Sequence, residues 1–520
     1  MRSYLLASGL ALSLLACKSD PPSGEGGSGP GLPVCGSQSD GVHVVRVSPS
    51  DGEIDTLRLP TFVVTLDQEV DCAALATKGI ALVGPEGDIA LGAVACAGNP
   101  TVLTFQPASR LQLVKAYTLR LEGLTDVAAC QVSFVTKHKT VEVSAGTAFS
   151  LARDENGTVW SWGDVLGSTA HDGDPTVPKK VLTGKTVSAI VAGDDYALVA
   201  LDTGEVYGWG QSGHGQLGTL ENLLWPPSLL AFQLDPGMFI IDLAASPTHV
   251  LAVRSDGQVL AWGGNEAGQL GNGSKNPSLV PIEVPGVTHA RSVVAARGAS
   301  GGGSEGSWSM ALIEDRSVVG WGANNSSQLT GTPPEPYEDV LVPRQVIAGD
   351  VQLISGGADV GVALLLDRTA LGWGSLLQGG TGHGVCDGPP QPAALEVVGL
   401  TSPYQISVAN HYGLALEADH TVWGWGNNLS GQLGDGTIGV EVQCNPNFSF
   451  ENTRLTPVQA VGVTAVEQIS AGPSFALLLK DDGTVLAAGS NTNGMLGLGP
   501  NGVMLDGTDL AVTFQEVPGL

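Results

Sequence analysis

The stretch Asp256-Gly257-Gln258-Val259-Leu260-Ala261-Trp262-Gly263, followed closely by Gly268-Gln269-Leu270-Gly271, decides the fold of this 520-residue chain. Asp-Gly marks a two-residue hairpin turn, because both residues tolerate the positive φ that such a turn demands. The apolar run into Trp-Gly reads as a strand, and the Gly-rich tail reads as another tight turn. One such unit has apolar faces and nothing to bury them against, so its weight depends on whether it recurs.

It recurs along most of the chain. Six units end in Trp-Gly, closing at Gly163, Gly210, Gly263, Gly322, Gly374 and Gly426, and a seventh ends in Ala488-Gly489 without the tryptophan. The closing glycines lie 47 to 63 residues apart, which is room for four short strands and their loops. Small residues open the units, as in Ser144-Ala145-Gly146, Ala192-Gly193 and Ser470-Ala471-Gly472. Gly-Gln-Leu-Gly or a relic follows the closing glycine: Gly215-Gln216-Leu217-Gly218, Gly431-Gln432-Leu433-Gly434 and Gly494-Met495-Leu496-Gly497. A repeat of this length denotes stacked supersecondary units, each dependent on its neighbours for a core.

These motifs, spread over residues 138–520, resemble the repeats of the regulator of chromosome condensation family. The resemblance implies an all-β fold, a seven-bladed β-propeller of four-stranded blades, and closure into a ring protects nearly every strand edge. A strand such as Pro281-Ile282-Glu283-Val284 precedes each new unit, yet the first unit starts at Val141 without one. The missing strand reappears at the end as Gln515-Glu516-Val517-Pro518-Gly519-Leu520. The expectation is that this C-terminal strand pairs beside the first repeat and locks the ring.

Ahead of the repeats, residues 1–17 have the layout of an export signal. Arg2 supplies charge, Leu5 to Ala16 is apolar but too short to span a bilayer, and Leu14-Leu15-Ala16-Cys17 resembles a lipobox. That resemblance implies acylation of Cys17 and attachment to a membrane. Residues 18–40 are Ser, Gly and Pro with little to bury, and read as a flexible linker. Residues 41–137 alternate short strands with turns, as in Val47-Ser48-Pro49-Ser50-Asp51-Gly52 and Leu103-Thr104-Phe105. They resemble the bacterial Ig-like β-sandwiches of surface proteins, which implies a spacer.

Seven cysteines less Cys17 leave an even number, and in an exported chain that favours disulfides. Cys35, Cys72, Cys96 and Cys130 lie in the first third, with their pairing open. Cys386 and Cys444 fall in equivalent long loops of adjacent units and are expected to bond to each other.

The chemistry-bearing motifs dissolve on inspection. Gly213 to Gly218 and Gly497 to Gly502 match G-x-G-x-x-G, but neither opens a helix to receive a pyrophosphate. The G-x-S-x-G matches between Gly298 and Gly306 lie in a Gly-rich insertion, not on a strained elbow. The nine histidines form no zinc pattern, and His171-Asp172-Gly173-Asp174 lacks a full calcium set. The expectation is no catalytic residue, no cofactor and no metal. A net charge of −28 excludes nucleic acid as a partner.

Binding belongs on the loops of such a scaffold. The loop after the small-residue strand and the loop after Trp-Gly emerge on the same face. The apolar connector around Trp225 and Phe232, and Trp308 at the end of an insertion, are the candidate binding-face residues. The functional expectation is a monomeric, membrane-tethered recognition protein of the cell envelope or outer surface, binding a protein or a glycan. Rival readings are a secreted inhibitor capping a hydrolase, and a guanine-nucleotide exchange factor, which an exported chain disfavours.

Overall fold

A computed structural model describes the short strands between residues 44 and 136. It also describes residues 139–520 apart from 165–174, 233, 298–305, 330–337, 439–440, 446–447, 500–501, 503 and 506–507. The chain divides into two compact units, Met1–His138 and Lys139–Leu520. Cys17, Cys35 and Cys72 lie outside the described residues, as does His171-Asp172-Gly173-Asp174. Cys96 and Cys130 stand on described strands, but their side chains are outside the described set.

In the first unit, Val44–Ser48, Phe62–Leu66, Val102–Phe105 and Ala95–Ala97 form one sheet in that spatial order. A second sheet runs Glu53–Thr56, Cys130–Thr136, Ala116–Leu121, Ile80–Gly84 and Gly87–Ile89. Val64 and Leu103 of the first sheet and Leu82 and Leu119 of the second are fully buried, as period-two alternation requires.

The second unit contains seven four-stranded antiparallel sheets, each built from consecutive strands. In blade 3, Ile240–Ala245 is innermost, then His249–Arg254, Val259–Gly263 and Ser278–Glu283 at the rim. The seven innermost strands neighbour one another in sequence order, and the seventh, Val466–Ala471, lies beside the first, Thr140–Ala145. The ring is therefore closed. The two middle strands of each blade are almost wholly buried, because blades cover both their faces, and read as unbroken apolar runs such as Tyr196–Leu201. Rim strands are edges, and Pro226, Pro281, Pro343, Pro392 and Pro457 on five of them remove donors that would invite pairing with another chain.

The repeated motif has a definite mechanical meaning. Each closing glycine holds positive φ, and a Cβ there would strike the backbone of the second strand; at Gly374 (φ 103°) it would lie 2.1 Å from the Asp359 carbonyl oxygen. Trp262, Trp321 and Trp373 are buried, and their indole N–H groups donate to the carbonyls of Gln216, Gln269 and Gln328 in the preceding blade at 2.7, 2.8 and 2.8 Å. The last glycine of the Gly-Gln-Leu-Gly turn leaves space for that ring: a Cβ on Gly271 would meet Trp321 Nε1 at 2.8 Å. The two sequence motifs are thus the two halves of one joint between neighbouring blades.

The joint also corrects the expected closure. The last strand, Leu510–Glu516, pairs with Val485–Ser490 and completes its own seventh sheet; it does not enter the sheet of the first repeat. Rim strands follow the third strand of their own blade, so no strand is missing from blade 1, whose rim is Lys179–Leu182. Closure is made by packing and hydrogen bonds instead. Trp162 donates to Met495 O at 3.0 Å and Ser150 Oγ donates to the same oxygen at 2.8 Å. Gly499 N donates to Thr176 O at 2.9 Å, and Val517 and Leu520 share a core with Val143 and Trp162. Where blade 7 lacks the tryptophan, Phe514 of the rim strand occupies the corresponding space against Gly434.

Candidate functional site

In every blade the loop between the first two strands and the loop between the last two emerge on one face. On this face, small residues at or just beyond the ends of the innermost strands of all seven blades surround a common opening, among them Gly146, Gly193, Ser246, Ala296, Gly357, Asn410 and Pro473. The small residues noted at the head of each unit are what permit seven strands to meet so closely round an axis.

Below the opening, side chains of the innermost strands tie several neighbouring blades together. Ser144 Oγ accepts from Ala192 N, Asp242 Oδ2 from Val293 N, Ser355 Oγ from Val408 N, and Ser407 Oγ from Ala471 N, at 2.9 to 3.0 Å. Gln468 Oε1 and Ser470 Oγ accept from Val143 N and Ala145 N of blade 1, both at 3.0 Å, so the ladder crosses the seam of the ring. Two members titrate. Burial, with the nearby Glu142 adding to it, pushes the Asp242 carboxyl up to about 7. Burial also raises Glu142, against the pull of Arg153, whose Nε lies 2.7 Å from Glu142 Oε2.

Beside the opening, loops of blades 2, 3 and 4 line a polar cleft of about 220 Å³. Asp194, Asp195, Gln211 and His214 come from blade 2, Thr248 from blade 3, and Arg297 and Ser307 from blade 4. Arg297 pairs with Asp194 at 3.6 Å, and Thr147 donates its hydroxyl to the same carboxylate. Asp195 is raised above the usual carboxylate range by burial first and then by Asp194 and Asp164, with Arg297 opposing. The cleft can therefore offer a partner carboxylates, amides and hydroxyls on rigid supports. Among the described residues no group of three His, Cys, Asp or Glu side chains is placed to hold a metal ion.

A serine–histidine–serine chain lies nearby, with Ser246 Oγ 2.7 Å from His249 Nδ1 and Ser309 Oγ 2.9 Å from His249 Nε2. His249 is completely buried and burial lowers it to about 3, so the ring stays neutral and is sealed from any substrate. It is a packing group.

The residues expected on the binding face are distributed differently. Trp308 is fully buried in the second strand of blade 4 and donates to Ala358 O of blade 5 at 3.0 Å, so it offers nothing to a partner. Its position in the repeat is that of Phe149, Tyr196, His249, Val360, Tyr412 and Phe475, all of them buried. The apolar connector is the rim strand Leu223–Leu229 of blade 2 and the core behind it. Phe232 packs edge-on against Trp262, ring centroids 5.4 Å apart, and is half-buried at the blade 2–blade 3 joint. Trp225 stands on that strand with its side chain outside the described residues. Gly213 to Gly218 forms the joint turn of blade 2, and the G-x-S-x-G matches fall largely within 298–305, outside the described residues. Cys386 and Cys444 are bonded, with Cα atoms 5.4 Å apart. They join the long loops of blades 5 and 6 on the face that carries the opening. The cleft residues went unseen in the sequence, since they come from separate loops and share no spacing.

Fold and joint together define a seven-bladed propeller of repeated four-stranded units. A family model described as Regulator of chromosome condensation (RCC1) repeat matches residues 256–301 and 419–479, and another of the same description matches 141–164, 187–216, 240–269 and 466–494. The chain is 30% identical to the ultraviolet-B receptor UVR8 of Arabidopsis thaliana over 386 residues, covering 72% of this chain and 82% of the receptor. Yeast RCC1 (Prp20), solved bound to Kap60, superposes with a TM-score of 0.57 at 20% identity, over 69% of this chain and 83% of that one. Prp20p from Saccharomyces cerevisiae, described with its binding to Gsp1p and histones, gives 0.55 at 19%, over 73% and 87%. The chain belongs to the regulator of chromosome condensation repeat family.

Proposed function

We propose that this protein is a lipid-anchored recognition module of the cell envelope, held to a membrane through Cys17 and presenting the loop face of its ring to a protein partner. The observation that carries the reading is the division of labour within the repeat. Strands and motif residues make the joints and the rim of the opening, while the polar cleft beside it takes Asp194, Gln211, His214 and Arg297 from loops. Family membership supports a protein partner over a glycan, since the yeast relative binds proteins. The unit before the ring serves as an Ig-like spacer, and the signal-like N-terminus delivers the chain across the membrane.

The test places a photo-cross-linking residue at Gln211, exposed at the cleft, or at Asp367, exposed on a turn of the opposite face. The full-length protein is expressed in its native envelope. A protein adduct from Gln211 and none from Asp367 is the expected outcome; adducts from Asp367 alone would reverse the choice of face. Metabolic labelling with a fatty-acid probe should mark the wild-type chain and not Cys17→Ser, and an unlabelled wild type would remove the anchor.

A further inference from the structure

Blade 6 carries an element that the repeat does not require. Between its third strand, Val422–Asn427, and its rim strand, Thr453–Gln459, the chain forms an added antiparallel hairpin of Glu441–Asn445 and Phe448–Glu451. The base of this hairpin is held where Asn428 N donates to Asn452 O at 2.6 Å. Its far end, where Asn445 faces Phe448, is held by Cys444, one residue away, bonded to Cys386 of blade 5. A two-stranded hairpin is marginal in water without such support.

The ring itself does not depend on this bond. Blades 5 and 6 are joined independently: Trp425 donates to Gly380 O at 3.0 Å, Val408 N to Ser355 Oγ at 2.9 Å, and Gly384 N to Leu455 O at 3.1 Å. We infer that Cys386–Cys444 is a redox latch: intact, it orders the hairpin against blade 5; reduced, it frees the hairpin and leaves the ring closed. The latch lies on the loop face, so its effect on a partner rests on the function proposed above.

The two sulfurs differ in access. Cys386 is 3% exposed, whereas Cys444 is only partly buried. A dithiol reductant therefore attacks Cys444 Sγ. The S–S bond breaks, Cys386 leaves as a thiolate and takes a proton, and Cys444 is held in a mixed disulfide. The second thiol of the reductant then attacks its own bonded sulfur and releases Cys444. The reductant leaves as a disulfide, having given two electrons to the protein.

Hydrogen–deuterium exchange on the full chain, before and after dithiothreitol, reads the latch directly. The Cys386→Ser/Cys444→Ser double variant repeats the measurement with the remaining cysteines untouched. Both perturbations should speed exchange at least tenfold in Glu441–Asn445 and Phe448–Glu451, with Pro403–Ala409 and Val466–Ala471 unchanged. Unchanged hairpin amides, or loss of protection throughout blades 5 and 6, would overturn the proposal. In the single variants, a maleimide should label Cys444 of Cys386→Ser faster than Cys386 of Cys444→Ser; equal rates would overturn the assigned order of attack. Cross-linking from Gln211 reads the partner separately, so an absent adduct would count against the proposed function while the exchange data still judge the latch.

Discussion

Replacing Trp162 by Ala tests ring closure, because this side chain belongs to the joint between the last blade and the first. Trp162 is fully buried, and truncation of such a side chain costs about 3–5 kcal/mol. The lost hydrogen bond adds little, about 1 kcal/mol, since Met495 O keeps the Ser150 hydroxyl at 2.8 Å. Trp321 supplies a matched control at an interior joint. It too is fully buried, and its acceptor, Gln269 O, also keeps a serine hydroxyl, that of Ser309 at 2.8 Å. In a closed ring the two positions are equivalent, so both Ala variants should lower the urea midpoint by the same amount. Far-UV circular dichroism at neutral pH is the suitable probe, because it does not depend on the tryptophan removed. Trp162→Phe, which keeps an aromatic ring but loses the donor, should fall between wild type and Ala. If Trp321→Ala shifts the midpoint and Trp162→Ala leaves it within about 1 kcal/mol of wild type, the seam contributes nothing and the argument for closure fails.

Asp242, raised to about 7 in the folded ring, binds its proton more tightly there than in the unfolded chain, so its contribution is fully present below the ordinary carboxylate range and is lost as pH rises through about 7. Asp242→Asn should thus gain stability relative to wild type between pH 4.5 and 7.5, by an amount on the order of 4 kcal/mol, and parallel pH profiles of the two proteins would contradict this. Gly374→Ala, with its Cβ 2.1 Å from a backbone oxygen, should lose about 3 kcal/mol or more in urea unfolding. Gly184→Ala, at φ 68° with nothing within 4 Å, should lose only about 1 kcal/mol, and equal losses would show that close approach is not what fixes the closing glycine. Phe514→Ala, at a half-buried ring, should cost roughly 2–3 kcal/mol by denaturant midpoint, more than the exposed rim residue Val461; a loss no larger than that of Val461→Ala would mean that the missing tryptophan is not compensated.

How much of this was legible depended on whether a residue answers to its neighbours in sequence or to the next blade. Closing glycines and Gly-Gln-Leu-Gly turns are fixed by local backbone geometry, so they recur visibly and revealed seven units. The Cys386–Cys444 bond was legible for the same reason, since equivalent loops of adjacent blades must be neighbours. Trp308 was misread because a Gly-rich insertion precedes it, which disguised its equivalence to Tyr196 and Tyr412. Both of those also reach into the following blade: Tyr196 donates to Ser246 O and Tyr412 to Gly472 O, each at 2.8 Å. The closing strand was misassigned by one blade because strand order within a unit is not written in spacing. A rim strand placed before the next unit in sequence hydrogen-bonds backwards, to the blade it leaves.

The same distinction separates scaffold from site. At each joint a side chain of one blade meets backbone of another, so change is limited by packing in two places at once. Blade 7 shows how far the limit bends: the indole is gone from position 488, and an aromatic ring from the adjacent rim strand fills the space against Gly434. The ring preserves occupancy of the joint, whichever residue provides it. Asp195, Gln211 and His214 carry no such obligation, since they stand on loops whose ends are already fixed by Tyr196 and by the turn around Leu217. A surface assembled in this way can change its chemistry without changing its fold, which is why the joint identifies the family and why we place the proposed partner at the cleft.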